Sequence, residues 1–227
     1  MKKQLAALAV AAFAACSSFA ATSGVVITEW MYQGANDSNR EFIEFTNLGP
    51  TAVDFTGWSY DDDSRLSGAF PLSAFGIVAP GESVIITEMN ATAFRNAWGL
   101  DASVKVWGPY TNNLGNGDEI NIFDGTGSLV DRLTYGSNPR TRGVSGRATS
   151  ADALGANDVS QWVFSSVGDI EGSWANSLGD IGSPGRTSFA SPVPEPESYA
   201  MLLAGLGAIA GLVRRRRKAE LAATPAA

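Results

Sequence analysis

The stretch at residues 119–135 reads EINIFDGTGSLVDRLTY and contains two β-forming runs around a central turn. Residues 119–123 and 129–135 are rich in apolar and β-branched side chains, which strands favour. The five residues between them include two glycines, which adopt the backbone conformations that a short loop requires. This stretch therefore predicts a β-hairpin.

Other strand-like runs precede the hairpin, and turn signals separate them. Asn47-Leu48-Gly49-Pro50 and Ala79-Pro80-Gly81 are typical turn sequences, the second with proline and glycine where a type II turn places them. The runs lie at residues 25–30, 40–47, 53–60, 84–87 and 104–107. Short strands at this spacing predict an all-β fold, either a sandwich or a barrel.

One helix is predicted among the strands, from Ala91 to Trp98. Asn90 or Thr92 is a suitable N-cap, and Gly99 is a suitable end. Phe94 and Trp98 are four residues apart, so they lie on one face of the helix.

The run 40–47 predicts a strand with one buried and one exposed face. Glu41 and Glu44 flank the apolar residues Phe42, Ile43 and Phe45. Because side chains alternate along a strand, these three apolar residues do not all share one face. The two glutamates bracket them as they would in a half-buried strand.

Composition narrows the possible chemistry. The 227 residues are 44% hydrophobic and 17% charged, without histidine, and the single cysteine is Cys16. Histidine is the commonest general base and metal ligand, so both roles would fall to carboxylates. The middle of the chain, between the leader with Lys2 and Lys3 and the tail with the basic cluster 214–218, contains nine of the 16 basic residues. It also contains 20 of the 23 acidic residues. A net charge near −11 disfavours binding to nucleic acid phosphates.

The N-terminus has the pattern of a secretory signal peptide over residues 1–20. Lys2 and Lys3 form its positive start, residues 5–15 are apolar, and small residues precede the expected cleavage between Ala20 and Ala21. A second interpretation is a lipoprotein signal in which Cys16 is lipidated, although Phe13 stands where leucine is more usual.

The C-terminus combines three segments in a fixed order. Residues 193–197 read VPEPE and favour an extended backbone. Residues 199–213 are uncharged and mostly apolar, and five basic residues follow at 214–218. This order predicts a short transmembrane helix at 199–213 whose basic end, Arg214-Arg215-Arg216-Arg217-Lys218, stays in the cytoplasm.

This C-terminal pattern resembles the PEP-CTERM sorting signal of exported bacterial proteins. Val193-Pro194-Glu195-Pro196, the apolar run and the arginine cluster carry the resemblance. It implies cleavage at or near the Pro-Glu-Pro motif by an exosortase, a membrane cysteine protease. It also implies a host that makes exopolysaccharide.

The middle of the chain is similar to the lamin-tail domain. The similarity rests on residues 27–29, 41–47, 53–58, 80–82, 116–120 and 124–131, in that order. Residues 145–147, Trp162 and residues 182–185 resemble its closing pattern. The resemblance implies an immunoglobulin-like β-sandwich and, in bacteria, a secreted module with a binding role.

Carboxylates are the first candidate site residues. Asp61, Asp62 and Asp63 could bind calcium, although a solvated turn explains three consecutive aspartates more simply. Residues 124–127 resemble a calcium loop only superficially, because the distal glutamate is absent. Glu41 with Glu44, or Glu29 with Glu44, could form the carboxylate pair of a glycosidase, but nothing in the sequence fixes their separation, and the resemblance to the lamin-tail domain already accounts for them as strand-face residues.

Tryptophans and arginines are the second set of candidates. The tryptophans could stack on sugar rings or pack in or beside the core, and core packing is the simpler prediction. The tryptophans considered are Trp58, Trp98, Trp107, Trp162 and Trp174. Arg140, Arg142 and Arg147 could bind an anionic polysaccharide or could pair with nearby acidic residues.

Together these observations predict five segments. They are a signal peptide at 1–20, a lamin-tail-like sandwich at 22–187, a linker with the Pro-Glu-Pro motif at 188–198, a transmembrane helix at 199–213 and a basic cytoplasmic tail at 214–227.

The sequence favours an exported, non-enzymatic protein that binds or builds the exopolysaccharide layer or cell surface, without a cofactor. Signal peptidase and exosortase would process it at the inner membrane, and exopolysaccharide or other surface proteins would be its partners. The alternative is a secreted hydrolase that depends on carboxylates and a divalent cation.

Overall fold

The computed structural model describes residues 24–37, 39–137 and 141–190, together with residues 204–206 and 209. Within these residues most of the regular secondary structure is β. The strands are β1 (Val25–Met31), β2 (Phe42–Asn47), β3 (Val53–Asp54), β4 (Ser59–Asp61), β5 (Phe70–Pro71), β6 (Ile77–Val78), β7 (Ser83–Thr87), β8 (Lys105–Trp107), β9 (Asp118–Phe123), β10 (Leu129–Tyr135), β11 (Gly146–Ala148), β12 (Trp162–Phe164), β13 (Trp174–Ala175) and β14 (Ile181–Gly182). The helix α1 spans Ala91–Trp98, and short 3₁₀ turns lie at Ser73–Phe75, Ala151–Ala153 and Val159–Gln161.

Two sheets form the predicted immunoglobulin-like sandwich. The larger sheet has the order β12-β11-β1-β2-β7-β8, and the smaller has the order β10-β9-β4-β5. All pairs in both sheets are antiparallel except β7 with β8, which is parallel. The main hydrophobic core includes Trp30, Phe45 and Tyr60, which are fully buried.

The predicted hairpin is confirmed as β9 and β10. Their register runs from Leu129 opposite Phe123 to Tyr135 opposite Asp118, with an irregularity between Leu129 and Asp131. In the turn, Asp124 Oδ1 accepts hydrogen bonds from the backbone N–H groups of Thr126 and Ser128, at 2.8 and 3.0 Å. Local turn chemistry therefore explains these residues.

The helix is also confirmed at the predicted residues. The Asn90 side chain accepts hydrogen bonds from the N–H groups of Thr92 and Ala93, so Asn90 is the N-cap. Gly99 ends the helix in a left-handed conformation. Phe94 and Trp98 pack against Phe42 of β2, at ring-centroid distances of 5.6 and 5.7 Å.

The expectation of an exposed face on the strand at 40–47 is wrong. All six residues of β2 are buried, and so are all seven of β1. Ile43 and Phe45 belong to the core between the sheets, whereas Phe42 belongs to a second apolar cluster with α1. The larger sheet therefore has both faces covered, which the local alternation of residues does not reveal.

A C-terminal segment at residues 172–186, here called the strap, covers part of that second face. Its strands β13 and β14 form a small sheet of their own. Trp174 contacts the edge of Trp98, with ring centroids 5.6 Å apart and planes at 90°. The strap thereby brings residues far along the chain onto β1, β2 and α1.

A buried ion pair attaches the strap to the loop before β2. Arg40 Nη1 lies 3.1 Å from Asp180 Oδ2, and the two side chains are only 7% and 1% exposed. Asp180 also accepts hydrogen bonds from the Ala35 N–H at 2.8 Å and from Asn176 Nδ2 at 3.1 Å. The carboxylate of Asp180 is therefore fully engaged below the surface.

Several predicted features lie outside the described residues. They are the signal peptide with Cys16 and the Ala20–Ala21 cleavage site, Arg140, the motif Val193, Pro194, Glu195 and Pro196, and the basic cluster Arg214, Arg215, Arg216, Arg217 and Lys218. Within the predicted transmembrane segment, residues 204–206 and 209 are helical. Among the residues that the structure does describe, no helix has the length and apolar character needed to cross a bilayer.

Candidate functional site: buried glutamates and an adjoining open cleft

Glu29 and Glu44 lie opposite each other on β1 and β2, beneath the strap. Glu29 Oε1 accepts a hydrogen bond from the Ser183 N–H at 2.7 Å and another from Ser145 Oγ. Glu44 accepts from the Gly185 N–H at 2.5 Å and from Thr28 Oγ1 at 2.7 Å. The two carboxyl groups therefore bind backbone groups of the strap to the sheet.

Gly182 is required for this close approach. A Cβ atom at this position would lie 2.8 Å from Glu29 Oε1, 2.9 Å from Ser145 Oγ and 3.2 Å from the Trp98 ring. Any larger residue would push the strap away from Glu29. Gly182 is part of the closing pattern that resembles the lamin-tail domain, and in this chain close packing of the strap requires it.

Burial changes the protonation of this pair. Desolvation raises the pKa of Glu29 to about 8, and the neighbouring charge of Glu44 adds to the increase. Desolvation likewise raises the pKa of Glu44 to about 7, against the lowering effect of its hydrogen bonds. Glu29 Oε2 is buried and has no hydrogen-bond partner among the described residues, as expected for a carboxyl group that is difficult to ionise.

Glu41 occupies a separate buried position. Its Oε2 atom accepts hydrogen bonds from Tyr110 Oη at 2.8 Å and from the Leu114 N–H at 2.7 Å. Desolvation is the main reason that its pKa rises to about 8. Glu41 thus connects the chain just before β2 to the loop before β9, and it does not lie with Glu29 and Glu44.

None of the three glutamates faces solvent, since their exposures are 2% for Glu29, 3% for Glu41 and 0% for Glu44. A glycosidase requires both carboxyl groups to reach the bond being cleaved and, in one class, a water molecule. These side chains instead contact the protein's own hydroxyl and N–H groups. The arrangement stabilises the fold and leaves no space for a sugar between the pair and the strap.

The three consecutive aspartates point in different directions. Asp61 is buried and accepts hydrogen bonds from Asn112 Nδ2 at 2.8 Å and from Ser64 Oγ at 2.7 Å, whereas Asp63 is exposed. Burial and the nearby charges of Asp63 and Asp62 raise the pKa of Asp118. In the described part of the chain, no three acidic side chains are grouped closely enough to hold a metal ion. Calcium binding at Asp61, Asp62 and Asp63 stays a prediction.

An open cleft of about 360 Å³ lies beside the strap, where α1 ends. Its lining residues are Trp98, Gly99, Leu100, Asp101, Val104, Trp174, Pro184, Gly185 and Arg186. Leu100 and Val104 provide an apolar wall, and the exposed side chains of Asp101 and Arg186 provide hydrogen-bonding groups of opposite charge. This mixture suits a polar ligand with an apolar face.

The aromatic rings of the cleft are largely engaged with each other. Trp174 Nε1 donates a hydrogen bond to the Trp98 carbonyl oxygen at 3.1 Å. The Arg186 guanidinium lies 4.6 Å from the centroid of the Trp174 ring, a cation–π distance. Trp98 itself is only 3% exposed. A ligand in this arrangement would contact Asp101 and Arg186 rather than stack on Trp98 or on the Arg186 side of Trp174.

The other candidate tryptophans are scattered. Trp58 is half-buried and stacks on Phe55 at 4.5 Å, and Trp162 is buried. Trp107 is 44% exposed, on the edge strand β8. The structure therefore brings only Trp98 and Trp174 of the five into one cleft.

The two described arginines of the predicted basic cluster also differ in role. Arg147 Nε donates to Asp169 Oδ2 at 2.8 Å, so its charge is compensated. Arg142 is exposed. The arginine that does line the cleft, Arg186, comes from the strap, and sequence reasoning missed it together with Asp101. Their separation of 85 positions offers no local signal that they meet.

Comparison with known proteins gives two family matches. A family model described as Lamin Tail Domain matches residues 18–137, and one described as PEP-CTERM protein-sorting motif matches residues 192–218. No curated protein and no solved structure matches the chain significantly. The sorting motif implies an exported protein that an exosortase processes. Since the first match covers just over half of the sequence, the chain belongs to the lamin tail domain family.

Proposed function

We propose that this protein is a non-enzymatic component of the cell surface or extracellular matrix that binds or organises exopolysaccharide. One observation favours binding over hydrolysis: Glu29, Glu41 and Glu44 are all buried and engaged within the fold. The open cleft, by contrast, has one carboxylate among its described lining residues, Asp101. One carboxylate does not supply the acid and base or nucleophile that glycoside cleavage normally requires.

The proposed route of the protein begins with the signal peptide at 1–20 and ends with the sorting tail. Signal peptidase would cleave after Ala20, and the helix at 199–213 would hold the precursor in the inner membrane with residues 214–227 in the cytoplasm. Exosortase would then cleave near Pro194. The match to the sorting motif at 192–218 supports the second half of this route. The domain would leave the membrane for the surface, the matrix or the medium.

Intact-mass measurement of the exported protein tests this route. We expect the form from the native host to begin at Ala21 and to end near Pro194. Replacing both Pro194 and Pro196 with alanine should leave the tail attached, because the recognised motif is lost, whereas the control Glu220→Gln should be processed normally. An exported wild-type protein that retains residues 214–218 would contradict processing and indicate a permanent anchor.

The cleft is the proposed binding site for a polysaccharide unit. Sugars combine hydroxyl groups with apolar C–H faces, which match the polar pair Asp101 and Arg186 and the apolar wall of Leu100 and Val104. Both polar side chains are exposed, and Arg186 also covers one face of Trp174 and donates to the Gly172 carbonyl oxygen. Asp101 contributes locally by accepting the Ser103 N–H at 2.8 Å.

The double variant Asp101→Ala/Arg186→Ala should reduce binding to exopolysaccharide from the host by about tenfold or more, since each lost polar contact costs about 1 kcal/mol or more. Affinity electrophoresis with the purified polysaccharide would measure this loss. Trp107→Ala, which removes an exposed aromatic residue on the edge strand β8, is the matched control and should bind normally. Equal binding by the double variant and the wild type would exclude the cleft as the site.

A further inference from the structure

The loop at residues 166–170, here called the apolar loop, exposes two aliphatic side chains at its tip. Val167 is 65% exposed and Ile170 is 71% exposed. Ile170 is the most exposed of the large hydrophobic residues that the structure describes. Isolated exposed aliphatic residues are common, so the surroundings of these two decide whether they matter.

The backbone of the apolar loop is held firmly by one side chain. Asp169 Oδ2 accepts from the Ser166 N–H, and Asp169 Oδ1 accepts from the N–H groups of Glu171 and Ser173, each at 3.1 Å. Two backbone turns close the loop, from the Asp169 N–H to the Ser166 carbonyl at 2.9 Å and from the Gly168 N–H to the Ser173 carbonyl at 2.8 Å. The tip therefore has a defined shape in which Val167 and Ile170 are already presented to solvent.

No free charge accompanies these side chains along residues 163–172. The only charged residues there are Asp169 and Glu171. Asp169 pairs with Arg147, and Glu171 accepts hydrogen bonds from the backbone N–H and the hydroxyl of Ser188. Arg186, whose Nη2 atom donates to the Gly172 carbonyl oxygen, lies at the end of this stretch and keeps its side chain exposed. Because the charges within residues 163–172 are engaged, the apolar tip can leave water without stranding an ionic group of its own.

The same Glu171 places the exit of the chain beside the apolar loop. It holds Ser188, and Phe189 packs against the main core, so the fixed part of the chain continues almost to the sorting motif at 192–218. From Ser188 to Tyr199, where the apolar tail segment begins, 11 residues span at most about 40 Å. When the tail is in a membrane, this tether keeps the face that carries Ser188 and the apolar loop within about 40 Å of it.

From this juxtaposition we infer that the apolar loop rests on the lipid bilayer before the tail is cleaved, with Val167 and Ile170 inserted among the headgroups and upper acyl chains. The inference rests on the proposed membrane insertion of the tail. Contact at a second point would fix how the domain is turned relative to the membrane, and with it the orientation of the Pro-Glu-Pro segment. Apolar area buried at the boundary between headgroups and acyl chains contributes to binding at a bilayer interface.

Three single-cysteine forms of the full-length chain, all carrying Cys16→Ser, test the inference. An environment-sensitive fluorophore is attached at Ile170→Cys, at Leu206→Cys in the tail, or at Leu66→Cys in the loop between β4 and β5, which is 62% exposed. Each protein is reconstituted into phosphatidylethanolamine–phosphatidylglycerol vesicles with and without a mixture of headgroup- and acyl-chain-spin-labelled lipids. We expect quenching at positions 170 and 206 to exceed that at position 66 at least twofold.

The outcomes separate the inference from the proposed function. Quenching at 206 but not at 170 would overturn the inference and leave the membrane tail intact. Absence of quenching at both positions would overturn both. A blue shift at 170 without lipid quenching would indicate that the tail or a second copy covers the loop, and would also overturn the inference.

A variant pair checks that the aliphatic side chains themselves make the contact. Both substitutions are introduced into the labelled Ile170→Cys protein, whose fluorophore reports the distance of the loop from the bilayer. Val167→Asn should reduce quenching at 170 at least twofold, whereas Leu66→Asn should leave it unchanged. Equal quenching after both substitutions would contradict insertion of the loop.

Discussion

Glutamine at position 29 should make a fragment of residues 21–192 less sensitive to pH between 5 and 8.5, by the contribution of one of the three buried glutamates whose pKa is raised. In the native protein the pKa of Glu29 is raised to about 8 by burial and by Glu44. Between the unfolded value near 4.5 and about 8, the folded state holds a proton that the unfolded state releases. The free energy of unfolding therefore falls as pH rises through this window, and it levels off above it.

The glutamine side chain of the Glu29→Gln variant imitates the protonated glutamic acid. Its carbonyl oxygen can accept from the Ser183 N–H and Ser145 Oγ, as Glu29 Oε1 does. Its amide group takes the place of Oε2, which has no partner among the described residues. Glu29→Gln should therefore lose little stability at pH 5. Above pH 8 it should unfold at a higher temperature than the wild type.

Thermal unfolding followed by near-ultraviolet circular dichroism at several pH values measures this effect. Each pH unit over which one extra proton is retained corresponds to about 1.4 kcal/mol, or about 3–6 °C in Tm for a domain of this size. Asp63→Asn, which removes a charge from an exposed turn, is the control and should leave the pH slope unchanged. Parallel curves for Glu29→Gln and the wild type would show that Glu29 is ionised in the folded protein.

Arg40→Met should destabilise the same domain by about 3–5 kcal/mol, because it leaves the buried carboxylate of Asp180 without its cation. Methionine keeps most of the aliphatic volume, so the change tests charge more than packing. Chemical denaturation at neutral pH would measure the loss. The strap should also become more accessible to protease, since Asp180 fastens it to the loop before β2.

The double variant Arg40→Met/Asp180→Asn distinguishes the effect of the unpaired buried charge from the effect of altered packing. The asparagine that replaces Asp180 can still accept the Ala35 N–H, and no charge remains buried, so the double variant should be more stable than Arg40→Met alone. Arg65→Met is the control: Arg65 also pairs with a carboxylate, Glu119, but its side chain is 55% exposed, so we expect a loss of about 1 kcal/mol or less. Identical losses for Arg40→Met and Arg65→Met would contradict the importance of burial.

Features that depend on neighbouring residues were predictable from the sequence. The turn at Asp124 and the Asn90 cap need only residues two to four positions away, and both elements formed as expected. The family resemblance added the arrangement of two sheets, which short strand signals alone leave open between a sandwich and a barrel.

The environment of the glutamates was not predictable in the same way. Glu44 looks like a solvent-facing strand residue among apolar neighbours, yet Gly185, 141 positions later, covers it. The cleft depends on the same long-range contact, because Arg186 reaches α1 only through the strap. The alternation of residues in β1 and β2 gives no sign that a much later segment of the chain buries the outer face of these strands.

The strap also constrains when the domain can finish folding relative to its export. Ser183 binds Glu29 across 154 positions, and Ser188 binds Glu171 only a few residues before the sorting motif. A chain exported from its N-terminus cannot complete the larger sheet's outer face until nearly its last folded residue has crossed. Under the proposed export from the N-terminus, completion of the fold and arrival of the sorting signal would fall at almost the same moment, so a precursor truncated before the strap would carry neither a finished domain nor a processing site.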